Sequence, residues 1–429
     1  MLKSLFTSLS GLGATSLAMG TIGNNIANVN TIGFKGSRNT FADLLASSIG
    51  NLSIGGGVRV SSTIPNLMQG SIVTTGITTD LAIDGNGFFI VNDNEANYYT
   101  RAGNFILDKD GYLVTPEGYK LQGWELSDTG TISSTLGAIN LANVVSKAQA
   151  TTNVNLKVNL DARESAPSNA TWWSSYAAGD TLTSSPPSDS FNYSTTLTVY
   201  DSLGNDHAVS IYFVKDSTTD NTWAAHYVYT NADGDLVYAG SQNLSFNSDG
   251  SLYDDNSSGA ITIDFGGGAA SQNVTFDYGT GTNEGGTGLD GSTQFSLPFS
   301  TNFLGQNGYP GGDLVNISID TDGVIEGLFS NGQVKNLYQI ALANFASPWN
   351  LSKVGDNLYN STTASGQAVV GVPNTGGRGK ILSGSLEMAN VDLATEFTNM
   401  ILIQRAFQAN ARVITTSDEM LTELVNLKR

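Results

Sequence analysis

The sequence predicts a multidomain chain: paired N- and C-terminal α-helices, coiled-coil-like, and two mainly antiparallel β domains nested by insertion. Three observations carry this expectation. Apolar residues recur every seven positions at both ends of the chain. The interior alternates short apolar strands with Gly-, Asn- and Asp-containing turns. An excess of acidic residues is confined to the middle and marks one β domain set inside another. The expected boundaries are 1–30 with 385–429 for the helical assembly domain and 31–79 with 360–384 for an extended connector. The first β domain takes 80–150 with 288–359, and the outer acidic β domain takes 151–287.

At the N-terminus, Leu5, Leu12, Met19 and Ile26 are seven apart, interleaved by Leu2, Leu9, Ser16 and Gly23. This is a heptad seam with small residues in part of it, which permits close approach of a partner helix. Gly11, Gly13, Gly20 and Gly23 make such a helix marginal by itself. The partner is expected at the other end. Leu386, Leu393, Met400, Phe407, Ile414 and Leu421 repeat every seven, and no Gly or Pro follows Ser385. A second stripe of Asn390, Phe397, Gln404, Ala411, Asp418 and Val425 alternates polar and apolar. Polar positions in a seam set register and oppose aggregation.

Asn24, Asn25 and Asn28 offer side chains for helix-end backbone groups, and Gly33 permits a left-handed backbone before Phe34. Residues 47–79 are rich in Gly, Ser and Thr and read as an extended connector with short strands near Val58 and Ile72. Gly55-Gly56-Gly57 lacks the Lys-Ser/Thr and the strand-to-helix context of a phosphate cradle. From Leu81 to Ala150 the pattern is antiparallel β. The acidic-Gly turns at Asp108, Asn231, Asn247 and Asp320 are hairpin chemistry, since the remaining ligands of a calcium loop are missing. Thr195–Tyr200, His207–Val214, Trp223–Tyr229 and Ile261–Phe265 are strands of the inserted domain. Residues 314–343 return to the first style and are expected to complete the sheet begun at Leu81.

Composition limits function. The chain has 429 residues, no cysteine, 49 glycines and a net charge of −19. Residues 164–326 hold 20 acidic residues against one basic residue, Lys215, and so carry the whole excess. Such a surface repels nucleic acid and anionic lipid. No disulfide, thiolate metal site or cysteine nucleophile is available. No apolar run reads as a membrane span, and Thr and Ser dilute the N-terminus too far for a cleaved signal peptide. His207 and His226 have no zinc spacing, and no nucleophile elbow, Walker loop or dinucleotide fingerprint appears in context. No catalytic residue, cofactor or metal is expected. Trp172, Trp173 and Tyr176 suit sugar stacking, but packing is the commoner use of such residues.

The stretch Gly23–Lys35 with Phe41-Ala42-Asp43-Leu44 resembles the N-terminal signature of the bacterial flagellar rod and hook family. Its C-terminal counterparts are Ala343–Leu351, Gly384–Leu393, Gln404-Arg405-Ala406-Phe407-Gln408-Ala409-Asn410 and Asp418–Leu421, in the family's order. The large insert resembles the hook branch more than the shorter rod proteins. The resemblance implies a subunit that polymerises with itself into a flexible helical tube and transmits torque from rod to filament. Terminal helices would line the inside, with β domains outside. It also implies rod, hook-cap and hook–filament junction proteins as partners, and unfolded export to the cell exterior by the flagellar type III apparatus. Alternative readings are a distal rod protein with an enlarged insert, a secreted adhesive or carbohydrate-binding β protein, and a hydrolase.

Overall fold

The computed structural model describes residues 2–49, 52–93, 95–127, 130–256 and 259–426. The chain forms two compact units. The first comprises Met1–Val144, Val315–Leu328 and Val334–Arg429; the second comprises Val145–Leu314 and Phe329–Gln333.

The first unit begins with helix α1 (Leu2–Ala27) and ends with helix α2 (Leu393–Asn426). Between them, strands β1 (Ser37–Ile49) and β2 (Leu52–Pro65) form an antiparallel ribbon. The sequence predicts only short strands in this stretch. The ribbon is longer because α1 supports it: Ser10 Oγ accepts the Val58 N–H at 3.1 Å, and Thr21 Oγ1 donates to Asn39 Oδ1 at 3.1 Å. Gly57, at φ +116°, lies where any Cβ would sit 2.1 Å from Ser10 Oγ, so glycine is what lets ribbon and helix touch. The triple glycine is therefore part of a ribbon on a helix.

Strands β3 (Ile72–Thr74), β4 (Leu81–Asp84), β5 (Phe88–Asn92) and β6 (Asn97–Thr100) open the β part of this unit. β5 pairs with β6, with Lys120–Leu126 and with Leu342–Asn344, and Lys120–Leu126 also pairs with Val334–Ile340. Strands before and after the insertion thus share one sheet. Phe88, Ile90, Tyr99, Ala343, Phe345 and Tyr359 form a core beneath it. Two late strands also return: Lys380–Ser383 pairs with β4, and Ser385–Glu387 pairs with β3.

The second unit stacks two sheets over a shared, largely apolar core. Tyr193–Tyr200, Asp206–Lys215, Thr222–Thr230, Leu236–Phe246 and Leu252–Asp254 form an antiparallel meander. The other sheet runs in the order Ile261–Ile263, Gln272–Asp277, Asn153–Asn159, Ser300–Gln306, and its middle pair is parallel. Inward residues from both sheets, including Val154, Leu156, Val158, Phe213, Trp223, Tyr227 and Phe276, are fully buried. The unit extends beyond the expected 151–287 because Ser300–Gln306 pairs with Asn153–Asn159, a long-range pairing that composition does not reveal.

Candidate assembly interface

α1 and α2 pack antiparallel. Ser4 Oγ lies 3.3 Å from Ser417 Oγ, and Asn25 Nδ2 donates to Glu396 Oε1 at 2.9 Å. Between these, a Cβ on Gly11 would lie 2.7 Å from Asn410 Nδ2. Moving seven residues along α1, from 4 to 11, moves seven back along α2, from 417 to 410, so the register follows the heptad.

The stripe of α1 that is buried is Ser8, Gly11, Ala14, Ala18, Ile22 and Asn25. Small side chains bring the helix axes close, and large ones are left to the sides. The expected seam residues Leu5, Leu12, Met19 and Ile26 lie on the flank of this stripe, half-buried. Phe6, Leu9 and Leu17 are 67%, 59% and 63% exposed. On α2, Met400, Ile414 and Leu421 are half-buried, whereas Leu393, Phe397 and Phe407 are exposed. Ile401, Leu402, Val413 and Met420 add further exposed apolar surface. Gln404 and Arg405 are exposed, and Asn410 is half-buried at the Gly11 contact.

Leu386 is corrected. It lies in the strand Ser385–Glu387, opposite Val73, and not in the helix. α2 begins only at Leu393, because Asp392 caps it: Asp392 Oδ1 accepts the Thr395 N–H at 3.0 Å. Asn390 likewise is no seam residue. Its Oδ1 accepts the Gly36 N–H at 2.9 Å, and its Nδ2 donates to Asn66 O at 2.7 Å and Met68 O at 2.8 Å.

These contacts border a buried hub at the root of both helices. Glu387 is fully buried, and its Oε1 accepts from Lys35 Nζ at 2.6 Å and from the Gly70 N–H at 2.8 Å. Its Oε2 accepts from Arg101 Nη1 at 3.1 Å. Arg101 also donates to Ile83 O at 3.3 Å and Gly85 O at 2.7 Å. Burial pushes the Lys35 ammonium below its ordinary pKa, and Glu387 opposes that shift. Burial likewise lowers Arg101 against the pull of Glu387, and it pushes Tyr359 up to about 12.

The Asn-rich motif feeds this hub. Asn25 accepts the Ser37 N–H at 2.9 Å and donates to Ser37 O at 2.8 Å. Asn28 donates to Asn24 O at 2.9 Å and accepts from Thr31 Oγ1 at 3.1 Å. Asn24 itself is exposed. Gly33 has φ +68°, its N–H donates to Glu387 O at 2.7 Å, and Phe34 is buried beneath Lys353. As a cluster, Lys35, Arg101 and Glu387 escaped the sequence reading, because nothing local marks three charges distant in sequence as one buried group.

The histidines and tryptophans have structural surroundings. His207 Nε2 lies 3.0 Å from Asp201 Oδ2, and its ring stacks on Phe265. Burial would raise Asp201, but donors from His207, Asn205 and Leu203 outweigh it and hold the carboxyl at about 2. His226 stacks on Trp173 at 4.4 Å, and burial lowers it to about 4. Trp173 is buried and donates to Ser190 O at 2.9 Å, which leaves its ring unavailable to a sugar. The Asp108 and Asp320 carboxylates accept backbone N–H groups within their own turns. Among the described residues one carboxylate trio, Asp254, Asp255 and Glu284, clusters within 4.8 Å; Asp255 Oδ2 accepts the Tyr278 N–H at 3.1 Å.

Four family models match in chain order. They are Flagella basal body rod protein over residues 5–35 and Flagellar hook protein FlgE/F/G D1 domain over 82–160. Flagellar basal body protein FlaE D2 domain follows over 159–309, and Flagellar basal body rod FlgEFG protein C-terminal over 382–427. The flagellar hook protein FlgE of Salmonella typhimurium is 38% identical over 98% of this chain and 98% of its own length. The chain belongs to the flagellar hook protein family. The FlgE of Borreliella burgdorferi is 36% identical over 100% of both chains. The crystal structure of Helicobacter pylori FlgE2 covers 72% of this chain and 98% of that one, at 19% identity and a TM-score of 0.48. Hook family proteins are structural proteins of the flagellum, not enzymes.

One expectation about the membrane is changed. The helix Ser4–Ala27 is long and apolar enough to cross a membrane by length and composition. Its Ser, Thr and Gly residues interrupt the apolar runs without adding charge, so the helix stays apolar on average although no run is long.

Proposed function

We propose that this chain is the structural subunit of the bacterial flagellar hook and polymerises with itself into a flexible helical tube that transmits torque. The observation that carries this reading is the α1–α2 pair. It buries small residues internally and leaves Phe6, Leu9, Leu17, Phe397, Ile401 and Leu402 at least half exposed. Exposed apolar stripes on a two-helix unit are surface for further copies. A head-to-tail contact that does not close yields a filament. On this reading α1 meets helices and not lipid, since its buried Asn25 is already engaged by Glu396 of α2 and by Ser37 of the ribbon.

The rod, hook-cap and hook–filament junction proteins are the proposed partners, and the cell exterior is the proposed location after unfolded export without cleavage. The lack of cysteine suits a chain that crosses an export channel unfolded. The test is electron microscopy of the purified full chain under polymerising conditions. Tubes are expected for the native chain, and persistent monomers at every concentration would overturn the proposal.

A further inference from the structure

We propose that Glu387 is a positioning residue whose buried carboxylate fixes the direction in which the α1–α2 pair leaves the β part of its unit. The inference rests on the structural reading above and adds a specific path for force. Three separate segments converge on this one side chain. Lys35 follows the exit from α1, Gly70 follows the return from the ribbon, and Arg101 directly follows β6. Arg101 is in turn tied to β4 and the turn after it through Ile83 O and Gly85 O. Glu387 itself stands at the approach to α2, and its own carbonyl accepts the Gly33 N–H at 2.7 Å.

The path continues to the helices without a break. Asn390 holds Gly36, and Asn25 holds both Ser37 and Glu396. Apolar packing at such a junction would be non-directional and would allow sliding. Charge-assisted hydrogen bonds in a low-dielectric site have fixed geometry. A buried ion cluster adds little net stability over an apolar filling of the same volume. Its contribution at this junction is therefore orientation.

The absence of cysteine makes paired spin labels practical in the full-length chain. One pair, Leu17→Cys with Ile106→Cys, spans α1 and the β part; a control pair, Ile106→Cys with Val369→Cys, lies within the β part. All three positions are exposed. Glu387→Gln is expected to broaden the spanning distance distribution at least twofold and to leave the control pair unchanged. If that variant does not fold, the charge-free triple variant Lys35→Met, Arg101→Met, Glu387→Leu takes its place with the same expectation. An unchanged spanning distribution overturns the proposal, as does equal broadening of both pairs or a spanning distribution already broad in the native chain. Monomer distances do not depend on polymerisation, so this result is separate from the microscopy above.

Discussion

Gly33→Ala tests the root of the helix pair most directly. Two physical costs meet at this glycine. Its φ of +68° is left-handed, which costs alanine roughly 1 kcal/mol and asparagine much less. Independently, a Cβ there would lie 2.4 Å from Ala102 N, 2.6 Å from Arg101 C and 2.7 Å from Ala102 Cα. These are backbone atoms of the segment that follows β6, not the end of a flexible side chain, and cannot rotate away. Overpacking of this kind costs about 1–3 kcal/mol. Displacing the chain also loses the bond from the Gly33 N–H to Glu387 O, worth about 1 kcal/mol. Gly33→Ala should therefore lose about 3–5 kcal/mol of local stability, and Gly33→Asn only about 1 kcal/mol less. Hydrogen exchange of residues 31–36 and 385–390 in the full-length chain measures this. Protection there should fall by about a hundredfold or more in Gly33→Ala and by about thirtyfold or more in Gly33→Asn, since each ~1.4 kcal/mol is tenfold. If Gly33→Asn is close to native, backbone angle alone explains the glycine and the close-approach argument is wrong.

Three further outcomes are expected. Leu393→Asp and Phe407→Asp place charge on exposed apolar positions of α2 and should abolish polymerisation while circular dichroism shows the β structure retained; normal tubes would refute the assembly surface. His226 has a folded pKa of about 4, below its unfolded value of 6.5, so its contribution is complete above about pH 6.5 and is lost as pH falls towards 4. Urea titrations of the native chain should show up to about 3 kcal/mol lost across that window, and His226→Phe should flatten the slope. Trp173→Ala removes a buried ring and should destabilise the second unit by about 3–5 kcal/mol, seen as a lowered melting transition, with no effect confined to sugar binding.

The heptads, the Asn-Gly stop and the β turns were legible because each is local: helix period, cap chemistry and turn chemistry act over a few residues. The return of the first β style after the acidic stretch was also readable, since alternation and composition change along the chain. Three features were not. The placing of Leu386 in a strand and not in α2 depends on its pairing with Val73, a contact across more than three hundred positions. Which face of α1 is buried depends on how closely α2 approaches, and that selected Gly11, Ala14 and Ala18 over the larger leucines that a seam rule favours. The Lys35–Glu387–Arg101 hub depends on three segments meeting where water is excluded, and a charge looks the same in sequence whether buried or solvated. The sequence by itself determined the paired ends, the β interior and the family. Tertiary structure decided how the ends are rooted, because burial and long-range pairing are properties of the folded chain and not of any window within it.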